Sequence, residues 1–110
     1  MTNPRKEAIR AYKERKVRRG IFTVRCAPTG EVWVGASPNL DSVQNSVWFM
    51  LRHGQHRNAR LQAAWNEHGE PSFALATVEE LDPETPALLL HDTLKQRKQD
   101  WMARLGAVAL

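Results

Sequence analysis

The sequence predicts an α+β domain: a small antiparallel sheet of three strands flanked by helices, with an additional basic helix at the N-terminus. Apolar and polar residues alternate over residues 22–26, which is the period of a strand, two further short segments are rich in apolar residues, and apolar residues recur every three to four positions in longer segments. Pro28-Thr29-Gly30 joins two of the strand-like segments and is typical of a hairpin turn. At 110 residues the chain is large enough for a single hydrophobic core.

The first predicted element is a helix over residues 4–18. Asn3 can cap it, and Pro4 suits its first turn, where the missing amide hydrogen is not needed. Gly20 ends this helix and begins the first strand, which covers residues 20–27. The second strand covers residues 31–36. Residues 1–19 are therefore expected to form a basic helix in front of a domain over residues 20–106.

Helices and one further strand are predicted after the hairpin. Asn39 or Asp41 can cap a helix over residues 41–52, and Gly54 is suited to end it. A second helix covers residues 58–67, and an apolar strand covers residues 72–78. A proline-containing linker then leads into a long helix over residues 86–105, with Gly106 just beyond its end.

Positive charge is concentrated at the N-terminus. Residues 1–19 carry a net charge of +6, whereas residues 20–110 carry −2. This distribution fits either a solvated helix surface or a segment that contacts the phosphates of a nucleic acid. The predicted nucleic-acid contacts are Arg5, Lys6, Arg10, Lys13, Lys16, Arg18 and Arg19, joined by Arg57 and Arg60 of a later helix.

Composition excludes several classes of protein. An apolar content of 42% and a charged content of 25% are those of an ordinary globular domain, and no apolar run approaches the length of a membrane span. The basic N-terminus has no apolar region behind it, so a signal peptide is not expected. Cys26 is the only cysteine, which excludes an internal disulfide and a cysteine zinc site and favours a reducing, cytoplasmic setting.

Two motifs resemble those of a known nuclease family. Gly20-Ile21-Phe22 and Val32-Trp33-Val34-Gly35 resemble the signature hairpin of GIY-YIG nucleases, with both signature tyrosines replaced. The stretch His56–Gly69 reads HRNARLQAAWNEHG and resembles the H-x-N-x-x-L-Q-x-A-W-x-x-H-G stretch of the phage and intron homing type. Phe73–Leu81 resembles the strand that follows in those enzymes. The resemblance covers about residues 20–105 and implies a GIY-YIG endonuclease-like fold.

The resemblance also implies a mechanism whose residues are largely missing. Family enzymes hydrolyse a DNA phosphodiester with one divalent metal, using two tyrosines, an arginine and a glutamate. The tyrosine positions are Phe22, which has no hydroxyl, and Trp33, which offers only an indole donor. The arginine position is Val43, and Val47 stands where a basic residue or histidine is usual. Of the family-site positions, only His56 is chemically competent for catalysis.

The position of the metal-binding glutamate depends on the alignment. Counting from Phe73 without gaps places Asp92 there, and a carboxylate can hold Mg²⁺. Aligning the helix on Trp101 instead places Lys98 there, which cannot bind a cation. No cofactor is expected if hydrolysis is lost, whereas Mg²⁺ or Mn²⁺ is expected if it is retained.

The replaced positions share one property, since Phe22, Trp33, Val43 and Val47 are all apolar. If the fold is kept, they converge on one patch, which favours burial by the N-terminal helix, a second copy of the chain or a partner protein. Stacking of Phe22 and Trp33 on bases and an altered but active site are the alternatives.

Three functions follow from these alternatives. The first is a GIY-YIG-fold domain that binds nucleic acid, probably DNA in view of the family, with hydrolysis lost or strongly reduced. The second is an active metal-dependent DNA endonuclease with a rearranged site, in which His56 is the base and Asp92 the metal ligand. The third is a protein-interaction module, or a homodimer, that uses the apolar former cleft. No membrane partner is expected.

Overall fold

A computed structural model describes residues 17–110 of the chain. The predicted helix over residues 4–18 lies almost entirely outside the described residues, and residues 17–19 precede the first strand without helical structure. The elements, in chain order, are β1 (Gly20–Cys26), β2 (Val32–Ser37), α1 (Leu40–Arg52), α2 (Ala59–His68), a short 3-10 turn (Glu70–Ser72), β3 (Phe73–Glu80), α3 (Ala87–Leu105) and β4 (Val108–Ala109).

The strands form one sheet in the order β3-β1-β2-β4. β1 pairs antiparallel with β2, as the hairpin predicts, and antiparallel with β3 on its other side. The register between β1 and β2 sets Phe22 opposite Gly35 and Val24 opposite Trp33. These four residues therefore share one face of the sheet, because directly opposed residues of paired strands point to the same side.

The prediction of a sheet of three antiparallel strands is wrong in the number of strands, because the sheet has four. Residues 108–109 form β4, which pairs in parallel with β2 and makes the sheet mixed. Gly106 adopts a left-handed conformation (φ 61°, ψ 34°) that ends α3 and lets the chain turn back toward β2. A strand of two residues is too short to show the alternation by which strands are recognised in a sequence, and for this reason it was missed.

The sheet separates two hydrophobic clusters. The larger cluster lies on the Phe22 face and is covered by α1 and α2, which contribute Leu51, Leu61 and Trp65. The smaller cluster lies on the opposite face, where α3 packs Leu94 against Ile21 of β1. The alternation of β1 accounts for this division, since successive side chains of a strand point to opposite faces.

Side-chain caps fix the starts of both helices on the Phe22 face. The Oδ1 of Asn39 accepts hydrogen bonds from the backbone amides of Asp41 (3.1 Å) and Ser42 (3.3 Å). The Oδ1 of Asn58 accepts from the amide of Leu61 (3.1 Å). Such caps satisfy amides that have no partner within the helix, so the two asparagines determine where α1 and α2 begin.

A partly exposed network of charged and polar side chains attaches α3 to β3. The guanidinium of Arg97 donates to both carboxylate oxygens of Glu79 (2.7 and 3.0 Å), and the indole of Trp101 donates to the same carboxylate (2.7 Å). Arg97 also pairs with Asp100 one turn along (2.9 Å). Among the described residues, no helix is long and apolar enough to cross a membrane.

Candidate functional site

The hairpin and α1 bring the four family-site positions together. Phe22 and Trp33 come from the shared face of β1 and β2, and Val43 and Val47 lie on the side of α1 that faces them. All four belong to the larger hydrophobic cluster, with exposed fractions of 2%, 0%, 9% and 7% respectively. The predicted convergence on one patch is therefore seen in the structure, and the patch is interior to the domain.

The C-terminal residues close this patch beside Gly35. The amide of Leu110 donates to the carbonyl of Val34 (2.9 Å), which carries the Leu110 side chain over the sheet. A Cβ atom built on Gly35 would contact the Cζ atom of Phe22 and lie 2.8 Å from its Cε1 and 2.9 Å from the Cδ2 of Leu110. Glycine is thus required here because the Phe22 ring and Leu110 lie directly on the backbone.

Trp33 brings one polar atom into the patch. Its indole Nε1 is buried and has no hydrogen-bond partner among the described residues. An indole nitrogen donates but cannot accept a proton from water, and burial keeps it from solvent. Among residues 17–110, the patch at the former tyrosine positions therefore contains no group that can activate a water molecule for attack on phosphorus.

His56 lies outside this patch, in the loop before α2. Its Nδ1 accepts a hydrogen bond from the amide of Asn58 (3.0 Å), and its own amide donates to the Oε1 of Gln62 (3.0 Å). Burial, and then the charge of Arg57, lower the pKa of His56 below its ordinary value, so its ring is neutral at pH 7. Because Nδ1 is the acceptor, the remaining proton is on Nε2, which makes the free nitrogen a donor.

Asn58, the other polar residue retained from the family stretch, also holds the C-terminal strand. While its Oδ1 caps α2, its Nδ2 donates to the carbonyl of Ala109 (3.1 Å). His56 orders the backbone of this same loop through its bond to the Asn58 amide. The contacts of His56 and Asn58 therefore serve the structure, since they order the loop before α2 and join α2 to β4.

The metal position does not fit a metal ion in either alignment. Asp92 is exposed on α3, across the sheet from α2 and the Phe22 cluster. Lys98 carries a positive charge, which repels a cation. The described residues contain no group of three histidine, cysteine, aspartate or glutamate side chains placed to hold a metal ion. A lone exposed carboxylate offers Mg²⁺ one ligand and no fixed geometry.

The predicted phosphate contacts within residues 17–110 are mostly engaged with the domain itself. Arg18 forms ion pairs with Asp41 (2.9 Å) and Glu80 (3.3 Å), and Arg19 donates to the carbonyl of Pro83 (3.0 Å). Arg60 pairs with Glu31 (2.6 Å), while Arg57 is exposed and forms no ion pair within these residues. The remaining candidates, Arg5, Lys6, Arg10, Lys13 and Lys16, lie outside the described residues.

Sequence reasoning missed a basic groove on the α3 side of the sheet. It has a volume of about 640 Å³ and is lined by apolar residues together with His91, Lys95 and Lys98. The spacing of these three residues, i, i+4 and i+7, places them on one face of a helix and is readable in the sequence.

The arrangement of a hairpin-centred sheet with two helices on one face and one on the other is the fold of GIY-YIG endonuclease catalytic domains. In particular, the chain is similar to the catalytic domain of the homing endonuclease I-TevI, with 24% identity over 80% of this chain and 88% of that one, at a TM-score of 0.68. It is equally similar to a point mutant of that intron endonuclease domain, with 23% identity over 82% and 86% of the two chains, at a TM-score of 0.70.

The resemblance inferred from the two motifs is thus confirmed at the level of the fold. No protein-family model matches the chain, and no curated protein matches it. At 23–24% identity the similarity shows a common fold, and it does not show that the site has the same chemistry.

Proposed function

We propose that the chain is a nucleic-acid-binding domain of GIY-YIG fold that has lost the hydrolysis of phosphodiesters. One observation carries the proposal: the four positions that the resemblance assigns to hydrolysis are apolar and buried in one cluster. A phosphate cannot enter a packed interior without displacing side chains, and it would find no charged partner there.

The character of the replacements supports loss of hydrolysis over a rearranged site. Hydrolysis of a phosphodiester needs an activated oxygen nucleophile and positive charge directed at the phosphate. Phe22 and Val43 supply neither, and His56 presents a protonated Nε2 where a base needs a free lone pair. Asp92 lies across the sheet from the His56 loop, so the two groups are not placed to act on one phosphate.

The case for nucleic-acid binding rests on the charge and on the fold. The net charge is +4, to which residues 1–19, which precede the sheet, contribute +6 and the rest of the chain −2. The solved structures that share the fold are described as an intron endonuclease and a homing endonuclease, proteins whose substrate is nucleic acid. A basic segment attached to such a fold favours phosphate as the partner. The apolar former cleft is filled from within the chain, so it offers no surface to a protein partner.

The loss of hydrolysis is tested by incubating supercoiled plasmid with the full-length protein in Mg²⁺ or Mn²⁺. We expect no nicking above buffer. Nicking that disappears in both His56→Ala and Asp92→Ala variants would refute the proposal and establish the rearranged endonuclease. Nicking that survives both substitutions and repeated purification would also refute the proposal and would locate the activity at other residues of the chain.

Binding is tested separately, by fluorescence anisotropy with labelled DNA and RNA 30-mers at several salt concentrations. Deleting residues 1–16 removes six basic side chains yet leaves Arg18 and Arg19 in their contacts with the domain. If all six contact phosphates, the slope of log K against log salt becomes shallower by about 5. Absence of binding by the full-length protein at 50 mM salt would refute the proposed binding function.

A further inference from the structure

Residues 107–110 pass around the edge of the sheet at β2. Ala107 packs against the smaller cluster, whereas Leu110 packs against the larger cluster on the opposite face. Between these two residues, β4 lies alongside β2. This segment, which we call the strap, therefore crosses from one face of the sheet to the other and contacts both clusters.

Within residues 17–110, few contacts hold the strap in place. β4 pairs with two of the six residues of β2, whereas β1 pairs with all six. The amide of Leu110 donates to the carbonyl of Val34 (2.9 Å), and the Nδ2 of Asn58 donates to the carbonyl of Ala109 (3.1 Å). Val108 is 53% exposed and Ala109 is also exposed, so β4 buries little apolar area. The strap is therefore attached more weakly than the other strands, and it belongs to the part of the fold that opens locally.

The strap begins at a glycine that is not packed. Gly106 has a left-handed conformation, and a Cβ atom built on it would meet no atom of the described chain within 4 Å, apart from its neighbours in sequence. A cavity of about 270 Å³ lies beside this glycine and is lined by residues 30–32 of the hairpin, Arg60 and residues 105–108. The backbone can therefore rotate at Gly106 without displacing side chains of the core.

The strap covers the outer side of the two former tyrosine positions. Val108 is the strand neighbour of Trp33. Leu110 lies over Gly35, where the Phe22 ring also contacts the backbone. Removal of the strap would uncover the outer edge of β2 beside these positions, while α1 and α2 would continue to cover the larger cluster.

We propose that the strap is a conformational gate that opens about Gly106 as a unit while the rest of the domain stays folded. In the closed state β4 occupies the edge of β2. In the open state this edge presents unpaired amides and carbonyls, to which an extended strand of another molecule can add. The gate goes beyond the proposed function, and it operates whether or not the chain binds nucleic acid.

Asn58 holds the gate closed. Its Oδ1 caps α2, while its Nδ2 binds the carbonyl of Ala109, so one side chain joins the start of a packed helix to the strap. The Nδ1 of His56 accepts from the amide of Asn58 and fixes the position of this residue. Loss of the Nδ2 hydrogen bond should therefore favour the open state without affecting the helix cap.

The Asn58→Asp substitution tests the gate. Aspartate retains an oxygen that accepts from the amide of Leu61, but it has no hydrogen to donate to Ala109. Asn39→Asp is the matched control, because Asn39 caps α1 in the same way and forms no hydrogen bond with the strap within residues 17–110. Exchange of the backbone amides is measured at pH 7 by NMR of the full-length, isotope-labelled protein.

In the wild type we expect the Leu110 amide to be protected, but about 30-fold less than the most protected amides of β1, because local opening exposes it. In Asn58→Asp its exchange should be about tenfold faster, through the loss of one hydrogen bond, while the β1 amides stay within about threefold of wild type. Asn39→Asp should leave the exchange of Leu110 within about threefold of wild type.

Three results would overturn the proposal. An unprotected Leu110 amide in the wild type would show that the strap is not closed in solution. Protection of Leu110 equal to that of β1 would show that the strap opens only when the whole domain unfolds. Equal acceleration of Leu110 exchange in the two variants would show that the Nδ2 hydrogen bond of Asn58 does not hold the strap.

Discussion

Restoring the first signature hydroxyl tests whether the former cleft is now core. The Phe22→Tyr substitution adds one oxygen at Cζ, the atom that lies directly over the backbone of Gly35. If the site were an open cleft, the hydroxyl would be solvated and the substitution would be nearly neutral. Since Phe22 is only 2% exposed and belongs to a cluster of apolar side chains, the hydroxyl must instead be buried.

The expected cost combines two terms. A buried hydroxyl that lacks a hydrogen-bond partner costs about 1–3 kcal/mol, and inserting an extra atom into a packed core costs about 1–3 kcal/mol. The ring has little room to shift, because the Cδ2 of Leu110 lies just above Gly35. We therefore expect the free energy of unfolding to fall by about 2–6 kcal/mol and the Tm by roughly 8–24 °C, at roughly 4 °C per kcal/mol for a domain of this size.

The assay is urea and thermal unfolding followed by circular dichroism, with plasmid nicking in Mg²⁺ as a second measurement. Phe49→Tyr is the matched control, because the same oxygen is added to a ring that is 56% exposed, and its stability should stay within about 0.5 kcal/mol of wild type. A Phe22→Tyr protein as stable as wild type would refute the assignment of this position to the core. Gain of Mg²⁺-dependent nicking would show that the cleft admits a phosphate.

Further predictions concern the contacts that close the domain. The guanidinium of Arg97 lowers the pKa of Glu79, so this carboxylate stabilises the fold above its unfolded pKa of about 4.3, and the contribution is lost as the pH falls through the lower folded value. Glu79→Gln should therefore lower the free energy of unfolding at pH 7. Between about pH 5 and 3 that free energy should fall less steeply in the variant than in the wild type, as measured by urea unfolding across that range. Gly35→Ala should cost about 1–3 kcal/mol in the same assay, because the Phe22 ring and Leu110 must move. Leu110→Ala should cost about 1–2 kcal/mol through lost apolar burial.

Each of these predictions has a control in the chain. Glu67→Gln removes a carboxylate that is 76% exposed, and the decline of stability with falling pH should match wild type. Leu88→Ala truncates a leucine that is 90% exposed and should be neutral within about 0.5 kcal/mol. A Glu79→Gln profile identical to wild type, or a Leu110→Ala protein as stable as Leu88→Ala, would show that the network or the C-terminal contact contributes nothing to stability.

The fold was predictable because local signals and long-range packing agree. The alternation that sets Phe22, Val24 and Cys26 on one face of β1 is the alternation of the structure, and the hairpin register follows from it. Asn39 and Asn58 cap the helices that begin after them, as short polar side chains at such positions do. These features depend on neighbours within a few residues, which is the range over which a sequence can be interpreted without coordinates.

The site was predictable only in part. The shared apolar character of Phe22, Trp33, Val43 and Val47 indicated burial, yet the candidate covers drawn from the sequence were a helix, a second copy or a partner. Among the described residues the structure supplies Leu110, which directly follows β4 and is held over the patch by one backbone hydrogen bond to Val34. β4 is far from β2 in the chain and pairs with it over only two residues, so the sequence contains no periodic pattern that would predict this contact.

The roles of charged residues were the least predictable, since they depend on which carboxylates lie nearby in space. Arg60 and Lys98 look alike as basic helix residues in the sequence. In the structure Glu31 of the hairpin pairs with Arg60, whereas Lys98 lines a groove to which none of residues 17–110 contributes a carboxylate. Clustered positive charge in a sequence therefore indicates a basic surface, but only the pairing decides which charges remain available to a partner.

The two faces of the sheet bear differently on the proposed loss of hydrolysis. Filling the Phe22 face with apolar side chains removes the charged groups needed for phosphate chemistry, and it adds buried area that stabilises a small domain. The opposite face carries the groove on α3, and the alignment on Trp101 places the family's metal position, Lys98, at its rim. Because the Phe22 ring is buried, substitutions at Phe22 should lower stability and leave the nucleic-acid affinity of the folded protein unchanged. A folded Phe22 variant that loses affinity would show that the Phe22 face contributes to binding.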